Sequence, residues 1–473
     1  MTELDPGPPA TTQTPGGIGI GTVWRVVAIG VPAVATLLGT IGVVDLAYHL
    51  RAGDLTLDTG SILREDTFSF VETGAPWLNQ QWGAQVLLAL VARSGGFRAL
   101  QLLQAIIVGS IAGLVYLSCR ARGAPVRASA ILTLAGILLA LPTFGVRPQL
   151  FGALLFAATL YLLVDRKAHG GRLWLLPLIA VAWVNTHGSF VFLPVLLGLA
   201  LLESALRRHG DLGRLALVGS VSIAATLANP YGFGVWTYVV QLVTDPVVRT
   251  LIDEWKPIAV DTIFGWAFFG SVGLLAAYLA RRSEAVSLSD LAWLGVFFVS
   301  ALGAIRGIVW WGLVAPVVVA GLVPRPKESA DRGSPVLNLS MLVALGLAGI
   351  LLLPWFHDVR LRWAPEPLVS AVRAETAPGD RLLVAQPWAS WFEYRLPDRP
   401  VFVDSRVELY PRSAWNDYGA IVTARADWPT VLDRWEVDVV ITEAAWKIDP
   451  YLRAHPGWRL TFEDDEGSVF VRR

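Results

Sequence analysis

The chain has 473 residues, 54% of them hydrophobic and only 16% charged, and its apolar residues gather in runs of about 17 to 25, the length a membrane-spanning helix needs. Basic and acidic residues balance at 38 each, so the bulk charge supports neither nucleic-acid binding nor a general polybasic surface. The single cysteine, Cys119, excludes an intrachain disulfide and a cysteine metal cluster.

In chain order, residues 1–22 are rich in Pro, Gly and Thr and lack a basic n-region and a small-residue cleavage site, which predicts a disordered cytoplasmic tail instead of a signal peptide. A polytopic membrane domain follows over 23–355. Eleven spans are predicted in it, at 23–44, 98–118, 127–143, 148–164, 173–186, 188–206, 215–229, 264–280, 288–304, 307–323 and 336–355. Short cytoplasmic loops collect Lys and Arg. With the N-terminus inside, every inner connection is basic: Arg120, Arg122 and Arg127; Arg166, Lys167 and Arg172; Arg207, Arg208 and Arg214; Arg281 and Arg282; Arg325, Lys327 and Arg332. The expected location is the cytoplasmic (inner) membrane, multi-pass, with the C-terminus outside. The apolar segment Trp82–Ala92 is too short to span and would invert every later loop, so it is expected to lie in the interface or to be partly re-entrant.

From about His357 the composition turns charged and soluble. Short apolar strands at 381–385, 400–404 and 438–442 alternate with helical stretches, which predicts a small extracytoplasmic α/β domain over 356–473. Its end, TFEDDEGSVFV, predicts a hairpin with Gly467 in the turn.

The predicted orientation sorts the unusual polar residues onto one side. Span ends and outer connections supply Asp45, Tyr48 and His49; Arg147; Asn185 and His187; Asn229 and Tyr231; Asp253, Glu254 and Trp255; and Arg306. Ionisable groups near membrane depth are costly and usually face a polar interior, so each is a candidate site residue. The first external loop, 45–97, is long and rich in carboxylates, among them Asp66. Asp45 and His49, four residues apart, share one helical face. In WVNTHGSFVFL, Gly188 is expected to permit a tight reversal that sets Asn185 and His187 at the hydrocarbon edge.

Plainer roles stand beside these. Asp45 can mark the membrane boundary, His187 can be a packed histidine, and Arg147 and Arg306 can snorkel to headgroups. Asn185 and Asn229 can cap helices, and Trp77, Trp82 and Trp255 fit an interfacial aromatic belt. The shared face distinguishes the set. Its chemistry suits sugar transfer from a lipid phosphate carrier: a carboxylate base for an acceptor hydroxyl, arginine for the departing phosphate, and aromatic rings for the sugar. One carboxylate base in a single displacement inverts the anomeric centre.

The motifs DLAYHLRAG, REDTFSF, WLNQQWG, WVNTHGSF, NPYGFGVW, IDEW, AIRG and RPVFVDSRVELY run through nearly the whole chain. By them it resembles the polytopic C-superfamily (GT-C) membrane glycosyltransferases, in the protein O-mannosyltransferase and aminoarabinose-transferase-like branch, and most nearly uncharacterised bacterial members of it. The resemblance implies a GT-C-like helical domain with a long first external loop, a polyprenyl-phosphate sugar as donor, and Asp45 in the place of the first-loop catalytic acid. The better-studied branches have an acidic pair at the end of span one, whereas Leu46 follows Asp45 here, so the base stays open between Asp45 and Asp66. His49, Trp82, Arg147, Asn185, His187, Asn229, Tyr231, Glu254 and Arg306 are the expected substrate-binding residues. No Asp-x-Asp occurs in the loop, so a required divalent metal is not inferred; Asp45, His49 and His187 remain a candidate metal set. In the tail, Asp404 and Arg406 follow a buried-type strand, where they suit either acceptor recognition or a pairing that holds the domain to the membrane part.

Two rival functions remain open. A lipid or solute transporter also needs polar residues between spans, but it would require a matching inner set, and the basic inner loops show none. A non-catalytic protein that binds lipid-linked glycans or assists assembly would keep the same residues and lack turnover. Neither sugar nor acceptor is legible.

Overall fold

In the computed structural model the described residues are 19–325, 334–444 and 446–473. Most of the predicted tail, and Lys327 and Arg332, lie outside them. Among the described residues six helical stretches are long and apolar enough to cross a membrane: α1 (Ile20–Leu37), part of the region Trp82–Ala121, Val126–Thr143, Pro148–Asp165, Gly188–Leu206 and Ile263–Ala280. Five shorter apolar ones, Gly170–Val184, Leu212–Ala225, Leu288–Gly303, Ile305–Ala320 and Pro335–Leu351, fall on the remaining predicted segments.

Helix α2 (Leu46–Thr59) follows α1 after a short gap, and α3 (Trp82–Ala121) packs against both. Helix α3 is interrupted where Gly95 (φ −165°, ψ 19°) leaves helical backbone and Gly96 takes a positive φ of 62°, a conformation open to glycine because it has no Cβ. The predicted interfacial segment is therefore a separate arm that ends at this break. Arg93 on the arm pairs with Asp54 at 2.6 Å and Asp58 at 2.7 Å on α2, which accounts for two of the first-loop carboxylates.

Helices α4 (Val126–Ala140), α5 (Pro148–Asp165), α6 (Leu176–Val184), α7 (Phe192–Leu206) and α8 (Leu212–Ala225) continue the bundle. The short α9 (Gly234–Thr244) and α10 (Pro246–Leu251) precede α11 (Ile263–Ala280), α12 (Leu288–Gly303), α13 (Ile308–Ala320) and α14 (Pro335–Leu351). The core centres on Phe156 of α5, whose ring meets Trp183 at 6.2 Å and Phe297 at 5.5 Å edge to face. Such pairs add roughly 0.5–1.5 kcal/mol beyond their burial. Strand β1 (Ile41–Gly42) pairs in parallel with β2 (Leu361–Arg362), so the chain leaving α1 is tied to the chain leaving α14.

The C-terminal domain contains one four-stranded sheet in the order β3 (Leu382–Val384), β4 (Val439–Glu443), β6 (Gly467–Arg472), β5 (Trp458–Glu463); β3 and β4 are parallel and the others antiparallel. Helix α15 (Glu366–Glu375) packs on β5 and β6, and α16 (Gln386–Arg395) packs on α2. The strand predicted at 400–404 reduces to bridges at Val401, which pairs with Leu382 on one side and with Ser69 of the first loop on the other. Pro400 has no N–H to extend the ladder, and the chain turns at Asp404, whose carboxylate accepts from the Arg406 backbone at 2.7 Å. The predicted hairpin forms, but Gly467 starts its return strand instead of the turn. A Cβ there would lie 2.0 Å from the Thr442 carbonyl oxygen, so close strand packing, not turn geometry, requires the glycine.

Candidate active site

Three helix junctions build one cluster. The residue before a proline is forced out of helical backbone, and Arg147, ahead of Pro148, is extended (φ −160°, ψ 168°) as it opens α5. His187 (φ −160°, ψ 140°) and Ala304 (φ −159°, ψ 141°) break the α6–α7 and α12–α13 pairs in the same way. Gly188 has no positive φ, so the expected reversal through glycine is corrected: the extended His187 makes the corner.

Asp45 is the residue before α2, and its carboxylate makes no capping bond. It accepts at Oδ2 from Arg147 at 3.0 Å. The other terminal nitrogen of Arg147 donates to Glu254, and Glu254 accepts through its second oxygen from Arg306 at 3.0 Å. Asp45, Arg147, Glu254 and Arg306 thus form one chain of alternating charge drawn from four connections. The short helix Asp253–Trp255 that presents Glu254 is held to the α12–α13 corner by the bond from Ile305 N to Lys256 O, 3.0 Å. Trp255 covers the Arg306 guanidinium at 4.3 Å, and the buried Nε of Arg306 has no partner among the described residues.

Arg306 also belongs to the wall of a cavity of about 420 Å³, together with His187, Gln80, Gln149, Trp255 and Trp310. His187 accepts at Nδ1 from the Ser189 backbone N–H at 3.1 Å, so in the neutral ring the proton sits on Nε2 as a donor. Helix α5 approaches closely because residue 152 is glycine: a Cβ there would lie 2.5 Å from Ser189 Oγ and 2.9 Å from His187 Nδ1. Tyr238, also in the wall, donates to Glu408 of the C-terminal domain at 3.0 Å. The tail therefore reaches the cavity. Gln149, whose buried amide oxygen has no partner among the described residues, was not among the expected site residues, although a glutamine two positions after Arg147 at the head of an apolar helix is itself a signal.

Other expected residues are engaged elsewhere. Asn185 accepts from the Trp82 indole at 2.9 Å and donates to Ala228 O at 2.9 Å, docking the arm and the α8 exit. Asn229 accepts from Tyr231 N at 2.8 Å and donates to Gly232 O at 2.9 Å, while the Tyr231 hydroxyl accepts from Asn79 N at 3.2 Å. His49 is buried beside Gln85, 3.2 Å away. Among the described residues no group of three His, Cys, Asp or Glu is placed to hold a metal, so Asp45, His49 and His187 form no such set.

Asp66 stands apart from Asp45. It is fully buried, accepts from Phe68 N at 3.0 Å and pairs with Arg406 at 2.8 Å. Arg406 also binds Asp404 through Nε at 2.8 Å and lies 4.7 Å from the Trp77 ring. This triad joins the first loop to the C-terminal domain. Its geometry is that of a domain contact, and none of the three is among the residues that line the cavity.

The chain matches no family model and no curated protein. It is similar in structure to the archaeal oligosaccharyltransferase AglB from Archaeoglobus fulgidus, in complex with an inhibitory peptide and a dolichol-phosphate: TM-score 0.62, 14% identity, covering 96% of this chain and 74% of that one. It is similar as well to ArnT from Cupriavidus metallidurans bound to undecaprenyl phosphate: TM-score 0.56, 14% identity, covering 95% of this chain and 97% of that one. These likenesses establish the class of the fold. It is a polytopic helical membrane fold with a small C-terminal domain, shared with these two structures.

Proposed function

We propose that this chain is a membrane glycosyltransferase. It moves a sugar from a polyprenyl-phosphate donor to an acceptor outside the cytoplasmic membrane, across eleven spans with the N-terminus inside. The observation that supports this reading best is the double membership of Arg306, which ends the charge chain begun by Asp45 and lines the apolar cavity beside it. The names of both similar structures refer to a polyprenyl phosphate, dolichol-phosphate in one and undecaprenyl phosphate in the other.

In this reading the lipid enters the apolar cavity and its phosphate meets the free Nε of Arg306 and the Nε2–H of His187, while Trp255 and Trp310 offer faces to the sugar. Asp45 is the base. Its Oδ2 is held by Arg147, and its Oδ1 has no donor among the described residues. As the acceptor hydroxyl attacks the anomeric carbon, Oδ1 takes the proton. The bond from that carbon to the phosphate oxygen breaks, and its electron pair leaves with the phosphate, where Arg306 stabilises the developing charge. Attack from the face opposite the phosphate inverts the centre. The fully buried Asp66 is assigned a structural role.

The test is turnover of radiolabelled polyprenyl-phosphate sugars by the purified protein and by Asp45→Asn. Turnover that does not depend on Asp45 overturns the mechanism, and no turnover across a broad donor panel favours a non-catalytic lipid-linked-glycan binder.

A further inference from the structure

A second cavity, of about 410 Å³, lies at the other end of the same helices. Arg122 follows α3, Asp165 ends α5, Arg207 follows α7 and Asp290 lies in the first turn of α12; all line it. Arg147 opens the same α5, 18 residues long, so the two cavities are separated by about 27 Å of helix at 1.5 Å per residue. Nothing in the proposed transfer reaction uses this end.

Its carboxylates are already answered. Glu203 pairs with Arg122 at 2.9 Å and Arg166 at 3.3 Å, Asp290 pairs with Arg207 at 3.1 Å, and Asp165 pairs with Arg172 at 3.1 Å. Lys167 and Arg325 also line the cavity, and among the described residues neither has a carboxylate within ion-pair distance. Arg122 pairs through its terminal nitrogens, and its buried Nε has no hydrogen-bond partner among the described residues. The lining has five basic and three acidic side chains, an excess of two positive charges. The buried Arg122 Nε lacks an acceptor, which is unfavourable, and the exposed Lys167 and Arg325 add positive charge to the same wall; an anion with several acceptor oxygens completes the set.

We propose that this cavity binds a phosphate group through Arg122 Nε, Lys167 and Arg325. The charge excess matches a phosphate, and the site lies where apolar helices end, the level at which anionic headgroups meet basic side chains. The phosphate belongs either to an anionic phospholipid or to a free phosphate, and the experiment separates the two.

Purified full-length protein is mixed with phosphatidylglycerol and phosphatidylcholine, and the retained lipid is counted by native mass spectrometry; thermal unfolding is followed in parallel with inorganic phosphate. Wild type is expected to prefer phosphatidylglycerol by about tenfold or more, as two cations near an anionic headgroup imply. The pair Lys167→Gln with Arg325→Gln is expected to bring the preference near parity. Lys167→Glu alone, at an exposed position, is a second variant and is expected to weaken it. Arg281→Gln with Arg282→Gln removes the same charge from exposed positions outside the cavity and is expected to change nothing. Competition by inorganic phosphate identifies a site that accepts the free ion as well, whereas lipid selectivity without competition identifies the headgroup. An unchanged preference in the cavity variants, an equal loss in the surface control, or retention of neither probe overturns the proposal.

Discussion

Arg147 donates to Asp45 at 3.0 Å with one terminal nitrogen and to Glu254 with the other, so one guanidinium fixes two carboxylates from separate loops. This leaves Asp45 oriented with one oxygen engaged and one open. Asp45→Asn keeps the shape and the hydrogen-bond acceptor but cannot take a proton. A loss of a positioned base lowers turnover by about 10²–10⁴-fold, and donor binding should change far less. Single-turnover kinetics of the variant check this; a kcat within a few-fold of wild type would remove Asp45 from the base role.

Asp66 should behave differently. Without it Arg406 keeps Asp404 as its counter-charge, but the buried N–H groups of Phe68 and Ser69 lose their acceptor, at about 1–3 kcal/mol each. Asp66→Ala is therefore expected to lower the unfolding temperature and to loosen the C-terminal domain, detected as faster amide exchange around Val401 and β3. If instead the variant keeps wild-type stability and loses only turnover, the two carboxylates have exchanged roles.

Much of this arrangement is legible in the sequence. Charged residues at the ends of apolar runs are rare enough to identify Asp45, Arg147, Glu254 and Arg306 one by one, and the basic loops predict that they share a side. What the sequence does not show is how each polar atom is spent. Asn185 and Tyr231 look like site residues, yet their bonds to Trp82 and Asn79 cross more than a hundred positions. The choice between Asp45 and Asp66 depends on Arg406, 340 residues beyond Asp66. Burial by a distant partner leaves no local signal.

Arg306 is predicted to serve the donor phosphate through its fork and its stacking on Trp255. Arg306→Lys retains the charge but has neither the Nε donor nor the planar face. Hydrogen bonds to a charged group are worth about 1.5–3 kcal/mol, so the donor KM should rise about ten- to a hundredfold. Initial rates against donor concentration measure it. A fall in kcat at constant KM would mean that Arg306 meets the phosphate only as charge develops on it, and unchanged kcat and KM would remove it from the site.

Gly152 is predicted to be indispensable for the position of His187. An alanine Cβ would sit 2.5 Å from Ser189 Oγ and 2.9 Å from His187 Nδ1, so the ring must move. Overpacking of this kind costs about 1–3 kcal/mol, and the cavity wall changes with it. Gly145→Ala, where a Cβ meets nothing within 4 Å, is the matched control. Loss of stability and donor affinity in the first variant but not the second is the expected result; equal behaviour of the two would show that the α5 contact is slack.

The C-terminal domain should give stability a pH dependence through Glu393. Burial first, and then the negative charge of Asp404, push the Glu393 carboxyl well above its ordinary value of 4.5, so the folded chain holds a proton there that the unfolded chain releases. Asp404 is shifted the other way: burial acts to raise it, but Arg406 overrides burial and holds it below its ordinary range. A raised folded value means that the contribution of Glu393 is full below the unfolded pKa and is lost as pH rises through the folded one. Glu393→Gln keeps a neutral side chain at every pH and should remove that loss. Thermal unfolding followed by tryptophan fluorescence from mildly acidic to alkaline pH should show wild type falling relative to the variant as pH rises. Parallel curves would mean that Glu393 is ionised in the fold, with Arg51 as its counter-charge.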